Sequence, residues 1–587
     1  MRSRELLIGA GVLAIVSWFA MPATPWEFDE ILYMQGVQHY DPVAHHPPPP
    51  GYPLFMLGGK IARIFAGNPF HALVALNFLA TIAGFALLAL AFSRLADDVP
   101  SGVAGALLFY FSPAMLVHST LALSDPGALA LLAATLYVAS AAGTAAAPLG
   151  AFAALAIGWR PQLAIFVVPL LFARVVTMRE WRKRGMAVGV FTIVCLAWLV
   201  PLAVSVGGVD QLVRFEASQA GYLAEHDADV SRSGWTAPMI ALRFIAHPWG
   251  TKVMSIPVLL LAVAGAARLI RRRDRRFLPL AIASLLYLAF ALRFMDPADG
   301  VRYALPFVLG TAFFAGVGLT RQRGADSQSA PALGRLESVP YLFAIASIIY
   351  VSSLISQRAG SESPPFRAAR FANWLYPRNA VVLYELPLWP HAQVFFANRE
   401  RMRVSDGLAQ YFDRPDIPMF LYADGMSHAP GARTFRWQPS DAYSKLTRNH
   451  YRVVSIIAMP PQRRFRVIRG VYVPEREADG DEWRWLDSPA ELQLPHGPAR
   501  SLTARVGLPV IYPLEVNTLT IFVNGTSAGT VDLRRGKRVD VTVAIPEGAP
   551  LVRFEAARAF VPAQVPGSLN RDPRRLAVKL YDLWSDR

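Results

Sequence analysis

The sequence predicts a polytopic α-helical membrane protein of about eleven transmembrane helices, followed by a soluble α/β subdomain and a β-sandwich. Three observations predict it. Of 587 residues, 53% are hydrophobic and 17% charged, and the mean hydropathy of +0.32 is too apolar for a soluble chain. The apolar residues form runs of span character as far as residue 356. Beyond that point helical and strand patterns alternate, and from about Arg463 the pattern changes to short strands separated by Gly, Pro and Asn. The expected domains are therefore residues 1–356, 357–462 and 463–587.

The runs cover residues 6–22, 72–92, 101–117, 126–143, 148–157, 162–173, 186–206, 253–267, 277–292, 303–320 and 339–356. The fifth and sixth are short, and a rival reading fuses them into one kinked helix across Gly158-Trp159-Arg160-Pro161. Charge decides for two. With Met1 in the cytoplasm and eleven spans, the cytoplasmic segments hold 17 Lys or Arg in 56 residues, against 9 in 117 on the other side. Fusion would expel Arg182-Lys183-Arg184 and Arg271-Arg272-Arg273. The last 231 residues then lie outside the cytoplasm. The first run, behind Arg2 and Arg4 and before Ala20-Met21-Pro22-Ala23, has a rival reading as a signal peptide; a retained anchor is expected, because it positions the acidic pair that follows.

The net charge of +16 is concentrated in short loops between spans, which accounts for it by membrane topology and disfavours nucleic acid. Cys195 is the single cysteine, so neither an intrachain disulfide nor a thiolate cluster is possible. No predicted span carries Asp, Glu, Lys or Arg in its interior, which counts against an ion-coupled carrier. Ionisable residues gather instead in the loops of one face.

Those residues supply candidates for transfer chemistry at a membrane surface, where an acceptor needs a base and a departing phosphate needs cations. Asp29 and Glu30, in Trp26-Glu27-Phe28-Asp29-Glu30, are candidate bases; the plain alternative is a helix cap. His45 and His46 precede Pro47-Pro48-Pro49-Pro50-Gly51-Tyr52-Pro53, a tract expected to be stiff and extended, and Leu54 to Phe65 reads as an interfacial helix. Asp125, in Ser124-Asp125-Pro126, either caps the fourth span or acts as a second carboxylate. Arg160 and Arg302 stand on the face that the positive-inside bias disfavours, and a phosphate is a physical reason for them; pairing with Asp296 or Asp299 is the alternative for Arg302. Asp29, Asp125 and His46 are the candidate ligands if a divalent cation such as Mg2+ or Mn2+ takes part. His226-Asp227 is a weaker candidate pair, and Asn524-Gly525-Thr526 reads as a hairpin turn rather than a glycosylation acceptor.

In the outer region, a helix near 368–375, strands at Ala380–Glu385, Val394–Phe396, Met419–Tyr422 and Val453–Ala458, and a helix near 441–449 make the expected α/β subdomain. The alternating pattern from about Arg463 makes the sandwich.

The Asp29-Glu30 pair, His46-Pro47-Pro48 with Gly51-Tyr52-Pro53, Ser124-Asp125-Pro126 and Arg302-Tyr303-Ala304-Leu305-Pro306, in that order and on one face, resemble the GT-C superfamily of multi-span glycosyltransferases, which includes protein mannosyltransferases and lipid A aminoarabinose transferases. The resemblance covers about residues 1–356. It implies a polyprenyl-phosphate-linked sugar donor, a glycan, lipid or protein hydroxyl as acceptor, and inversion at the sugar. Asp29 would then be the base, with Glu30 beside it. Asp125 would assist at the acceptor or a metal, and Arg160, Arg302, Tyr303 and His46 would face the donor phosphate. It further implies a bacterial inner-membrane enzyme with a periplasmic active site. The last 120 residues or so are similar to jelly-roll modules of carbohydrate enzymes, with Trp483 and Trp485 either stacking on sugar or buried. A lipid-linked sugar flippase and a non-catalytic glycan-binding assembly protein are the alternatives from other classes.

Overall fold

The apolar runs are helical over most of their described residues, with 101–117 broken at Phe111-Ser112, in the computed structural model, which describes residues 2–141, 145–222, 236–319, 338–429, 431–437, 441–447, 453–476, 482–510, 512–565 and 572–586. Four helical stretches are long and apolar enough to cross a membrane alone: Pro69–Ala96, Trp181–Ser205, Lys252–Arg271 and Val339–Leu375. Pro297–Tyr303 and Leu305–Leu319, bent by 50°, make a fifth if taken as one. The other apolar helices are shorter. Ala146–Trp159 has 14 residues, about 21 Å of rise against a hydrocarbon core of about 30 Å. Hydropathy marks such a segment as membrane material without measuring its reach.

Chain contacts divide the molecule into two units, residues 1–362 with 439–450, and residues 363–438 with 451–587. This division differs from the expected one: the first unit runs to residue 362 rather than 356, and residues 363–438 and 451–587 fall in one unit. The helix Asp441–Leu446, expected in the outer α/β subdomain, belongs to the helical unit.

Within the helical unit, small residues bring backbones together. A Cβ built on Gly265 would run into the Phe314 carbonyl, and one on Gly318 into the Leu261 carbonyl. Lys252–Arg271 and Leu305–Leu319 therefore cross with glycine on both sides, the packing that apolar solvent favours in place of a hydrophobic driving force. The predicted interfacial helix is Pro53–Ala66, and it exposes Leu57, Ile61, Ile64 and Phe65. The tract before it is not extended. Asp41 and His46 exchange backbone hydrogen bonds, and the Gly51 N–H donates to the Pro48 carbonyl, so the prolines sit in successive turns.

The second unit carries two sheets. Strands β1 (Val381–Tyr384), β2 (Arg401–Arg403), β3 (Met419–Asp424), β4 (Arg433–Arg436) and β5 (Val453–Ala458) are ordered β2-β1-β3-β5-β4. The first three are parallel, and β5 and β4 are antiparallel. Val394–Phe396, expected as a strand, closes the helix Trp389–Phe395 instead. Pro390 near that helix's start presets helical φ, and a three-residue apolar run has no period of its own to resist it.

The remaining strands are β6 (Arg466–Arg476), β7 (Glu482–Gln493), β8 (Arg500–Gly507), β9 (Val516–Val523), β10 (Thr526–Arg534), β11 (Arg538–Ile545), β12 (Leu551–Ala556) and β13 (Val578–Ser585). They pair in the order β10-β9-β12-β7-β13-β8-β11, with β6 on β7. Strand β7 has different partners along its length: residues 490–493 pair with β12 and residues 484–486 with β13. Between them β7 runs close to Gly470 of β6, where a Cβ would meet the Pro489 carbonyl oxygen at 2.5 Å. Leu492, Ala504, Ile521, Val543, Phe554 and Leu580, from six strands, share one core. Asn524 and Gly525, both at positive φ, turn β9 into β10, a two-residue hairpin of the kind Asn-Gly favours.

Candidate active site

Four residues far apart in sequence meet in the helical unit. The Arg302 Nε donates to Asp125 Oδ2 at 2.8 Å, and its Nη1 donates to Asp29 Oδ2 at 3.0 Å. Arg160 Nη1 reaches Asp125 Oδ1 at 2.8 Å. Asp299, one turn before Arg302, adds a longer contact of 3.4 Å to the same Nη1. The ring of Tyr303 lies 5.8 Å from the Arg160 guanidinium carbon and 5.7 Å from that of Arg302.

Burial separates the two aspartates. Asp125, Arg160 and Arg302 are 4%, 3% and 5% exposed, whereas Asp29 is 29% exposed. Among the described residues Asp29 Oδ1 has no hydrogen-bond partner, so this carboxylate has one oxygen anchored and one turned to incoming groups. Asp125 has both oxygens occupied by guanidinium. It therefore orients two cations, and the reading that it caps the helix Asp125–Ala139 is replaced by this one.

Local structure explains the meeting. Asp29 lies in the first turn of Phe28–Gln38, and Arg160 sits between Ala146–Trp159 and the turn Pro161–Leu163. Trp159 Nε1 donates to the Ser124 carbonyl at 3.1 Å, and Arg160 Nη1 to Ser124 Oγ at 2.9 Å. The Trp159 ring rests on Gly127, where any Cβ would strike it. Ser124 to Gly127 is thus the surface against which Trp159 and Arg160 are set. The tract's last residues join the same arrangement: Gln162 Nε2 donates to the Tyr52 hydroxyl at 3.3 Å, and Tyr33, Tyr52, Phe55 and Trp159 form a chain of ring contacts of 5.0–5.5 Å.

Glu30 does different work from the base expected beside Asp29. Its side chain is fully buried and accepts from the backbone N–H groups of Trp26 at 2.7 Å, Glu27 at 2.9 Å and Ala122 at 2.7 Å. Burial pushes its carboxyl up from the ordinary range, and the three N–H donors oppose that shift. Asn77 Nδ2 donates to the Leu121 and Leu123 carbonyls, each at 2.7 Å, so Glu30 and Asn77 together fix the loop that delivers Ser124 and Asp125. His46 is also placed differently. It lies in the turn closed on Asp41, with Nε2 buried and lacking a hydrogen-bond partner, and makes no contact with the four-residue cluster among the described residues. His226 and Asp227 lie outside the described residues.

The donor set does not fit Mg2+ or Mn2+ in this arrangement. No three His, Cys, Asp or Glu side chains converge among the described residues, and both Asp125 oxygens already accept from arginine.

Two residues absent from the sequence reading matter here. Arg243, buried, donates to the Pro297, Ala298, Lys445 and Thr447 carbonyls, at 3.3, 2.7, 2.5 and 3.1 Å. Arg358, also buried, donates to the Val117 carbonyl at 2.7 Å. Arg243 has no carboxylate near it in sequence and Arg358 has Glu362 four residues on, and neither pattern reveals a backbone partner.

No protein-family model and no curated protein matches the sequence. Among solved structures, ArnT from Cupriavidus metallidurans in the apo state aligns with a TM-score of 0.50 at 13% identity, over 77% of this chain and 98% of that one. The chain shares the fold of that protein. The same protein bound to undecaprenyl phosphate aligns with a TM-score of 0.49 at 11% identity, over 78% and 98%. The arabinofuranosyltransferase AftD from Mycobacteria aligns with a TM-score of 0.45 at 12% identity, over 99% of this chain and 58% of that one. The tryptophans Trp483 and Trp485 of the β-rich region are not exposed platforms. Trp483 and Trp485 are 8% and 6% exposed, and Lys579 Nζ stands 3.4 Å from the centre of the Trp483 ring.

Proposed function

We propose that this protein is a membrane glycosyltransferase that moves a sugar from a polyprenyl-phosphate donor to a hydroxyl of a glycan, lipid or protein acceptor, with inversion. The observation that carries the reading is the shared guanidinium of Arg302, which links the accessible Asp29 to the buried Asp125–Arg160 pair. The GT-C fold supports it as a scaffold on which such a site can be built.

Asp29 accepts the proton of the acceptor hydroxyl at Oδ1 as the acceptor oxygen bonds to the anomeric carbon. The bond from that carbon to the phosphate oxygen breaks, and its electron pair leaves with the phosphate. Negative charge thereby disappears from Asp29 and appears on the leaving group. Arg302 loses an anionic partner at the moment a new one forms, and Arg160, held by Asp125, supplies the second guanidinium. The cations need not reorganise, because Asp125 holds both in place throughout.

The site faces the periplasm of a bacterial inner membrane in this reading, as the loop charges favour. The test is release of radiolabelled sugar from a panel of polyprenyl-phosphate sugars by the protein in lipid, beside Asp29→Asn. Release that requires Asp29 supports a transferase. Movement of intact lipid-linked sugar across the bilayer without bond cleavage would establish the flippase instead.

A further inference from the structure

The second unit holds a cavity of about 680 Å³ that the reaction does not use. Its wall is built from the helix Pro364–Leu375, which brings Arg367, Arg370, Phe371 and Trp374, and from edge strand β4, which brings Arg433 and Arg436. No Asp or Glu lines it among the described residues. Arg367 Nη2 donates to the Arg436 carbonyl, while its Nε is buried with no hydrogen-bond partner. The Arg433 guanidinium lies 5.9 Å from the Phe371 ring, and Phe371 in turn lies 5.5 Å from Phe435.

Like charges on one concave wall repel, and the Arg367 bond to the Arg436 carbonyl and the Arg433 contact with Phe371 leave that repulsion unbalanced by any lining carboxylate. Arginine on an edge strand discourages strand pairing, which would explain β4 alone. It does not explain why the helix opposite presents arginine to the same space. Trp374, 78% exposed, adds an apolar surface that water disfavours. Guanidinium forks match phosphate oxygens, and exposed indole matches the boundary between headgroup and acyl chain. In sequence, the helix Pro364–Leu375 follows directly on the apolar helix Val339–Gly360.

We infer that this cavity binds the phosphorylated headgroup of an anionic amphiphile, with the arginines on the phosphate and Trp374 against the apolar part. The inference is independent of the reaction proposed above.

Isothermal titration of the full-length protein in zwitterionic detergent tests it, with dihexanoylphosphatidate, dihexanoylphosphatidylcholine and inorganic pyrophosphate as probes. Dihexanoylphosphatidate should bind more tightly than either of the others, and Arg433→Gln/Arg436→Gln should weaken it at least tenfold at an unchanged unfolding temperature. Trp374→Ala, on an exposed side chain, should erase the preference over pyrophosphate. Any phosphate bound at the helical unit is common to these proteins, so the difference between them reports the cavity. Equal binding by the double variant overturns the inference. Equal binding of phosphatidylcholine does so as well, because charge is then not read. Equal binding of pyrophosphate by the unaltered protein would assign free phosphate anions and overturn the amphiphile. Tighter binding of a polyglutamate peptide would assign an acidic protein segment and overturn it too. If the double variant fails to fold, Arg370→Gln, on an exposed residue, takes its place, with the same fall expected and unchanged binding overturning the inference.

Discussion

Arg302 and Asp125, separated by 177 residues, are joined by a 2.8 Å hydrogen bond from Nε to Oδ2 in a setting where each is about 95% buried. Two charges so enclosed are stable only while each has a partner of fixed geometry. The bond therefore sets a positional standard for both other members, Asp29 through the Arg302 Nη1 and Arg160 through the Asp125 Oδ1.

Asp29→Asn should lower sugar transfer by roughly 10²–10⁴-fold, the range that a positioned base contributes. The amide keeps an oxygen for Arg302 and nearly the same volume, so the unfolding temperature should stay close to that of the parent. Transfer assays and thermal unfolding on one preparation check this. Full activity in Asp29→Asn would remove the base assignment.

Asp125→Asn should behave in the opposite manner, through stability. It leaves Arg160 buried without its carboxylate partner and Arg302 with Asp29 and Asp299 alone, and removing one partner of such a buried pair costs about 3–5 kcal/mol. In a double-mutant cycle with Arg160→Gln the two losses should sum to more than the double variant's loss, because one interaction is counted twice. Chemical unfolding in detergent measures this. Additive losses would mean that the bond seen between Arg160 and Asp125 contributes nothing of its own.

The contrast between Asp29 and Glu30 shows how much of the site was legible in sequence. Both stand in one acidic pair at a loop start, and composition treats them alike. A helix turns successive side chains by about 100°, so one faces Arg302 and the other enters the backbone of the Ala122 loop. Direction of that kind depends on where the helix lands. Asp125, Arg160 and Arg302 were legible because a charge beside an apolar run needs a reason. Arg243 and Asn77 were not, since their partners are carbonyls and every residue has one. The same limit appears in the fold. Long periodic helices and alternating strands could be read, whereas Val394–Phe396 and the transfer of Asp441–Leu446 to the helical unit depend on tertiary packing.

Gly127→Ala should impair the enzyme although alanine is the better helix former, by about 1 kcal/mol. The added methyl group occupies the space of the Trp159 ring. The ring must move, and Arg160 follows it in sequence. We expect transfer to fall on the order of tenfold, with overpacking outweighing the gain in helix propensity. Trp159→Phe in the same chain should recover part of the loss, because the smaller ring makes room. A lone gain of stability with unchanged transfer would show that Trp159 does not position Arg160.

Arg243 offers the last test, because it acts without touching the four-residue cluster. Its guanidinium holds the Pro297 and Ala298 carbonyls on one side and those of Lys445 and Thr447 on the other. Asp299 and Arg302 follow directly from the first of these segments, so their placement depends on it. Arg243→Met keeps much of the apolar stem and removes all four bonds. Displacement of the Arg302 turn by about 1 Å would cost up to roughly 10²-fold in rate, and the loss should fall on kcat with little change in donor KM. Arg243→Lys should restore only part of it, since one ammonium cannot reproduce a planar fork. A variant that unfolds outright reports stability alone, so the decisive comparison is between the lysine and methionine forms at matched folded fractions. Equal kcat in those two and in the parent would show that the turn holds Arg302 unaided.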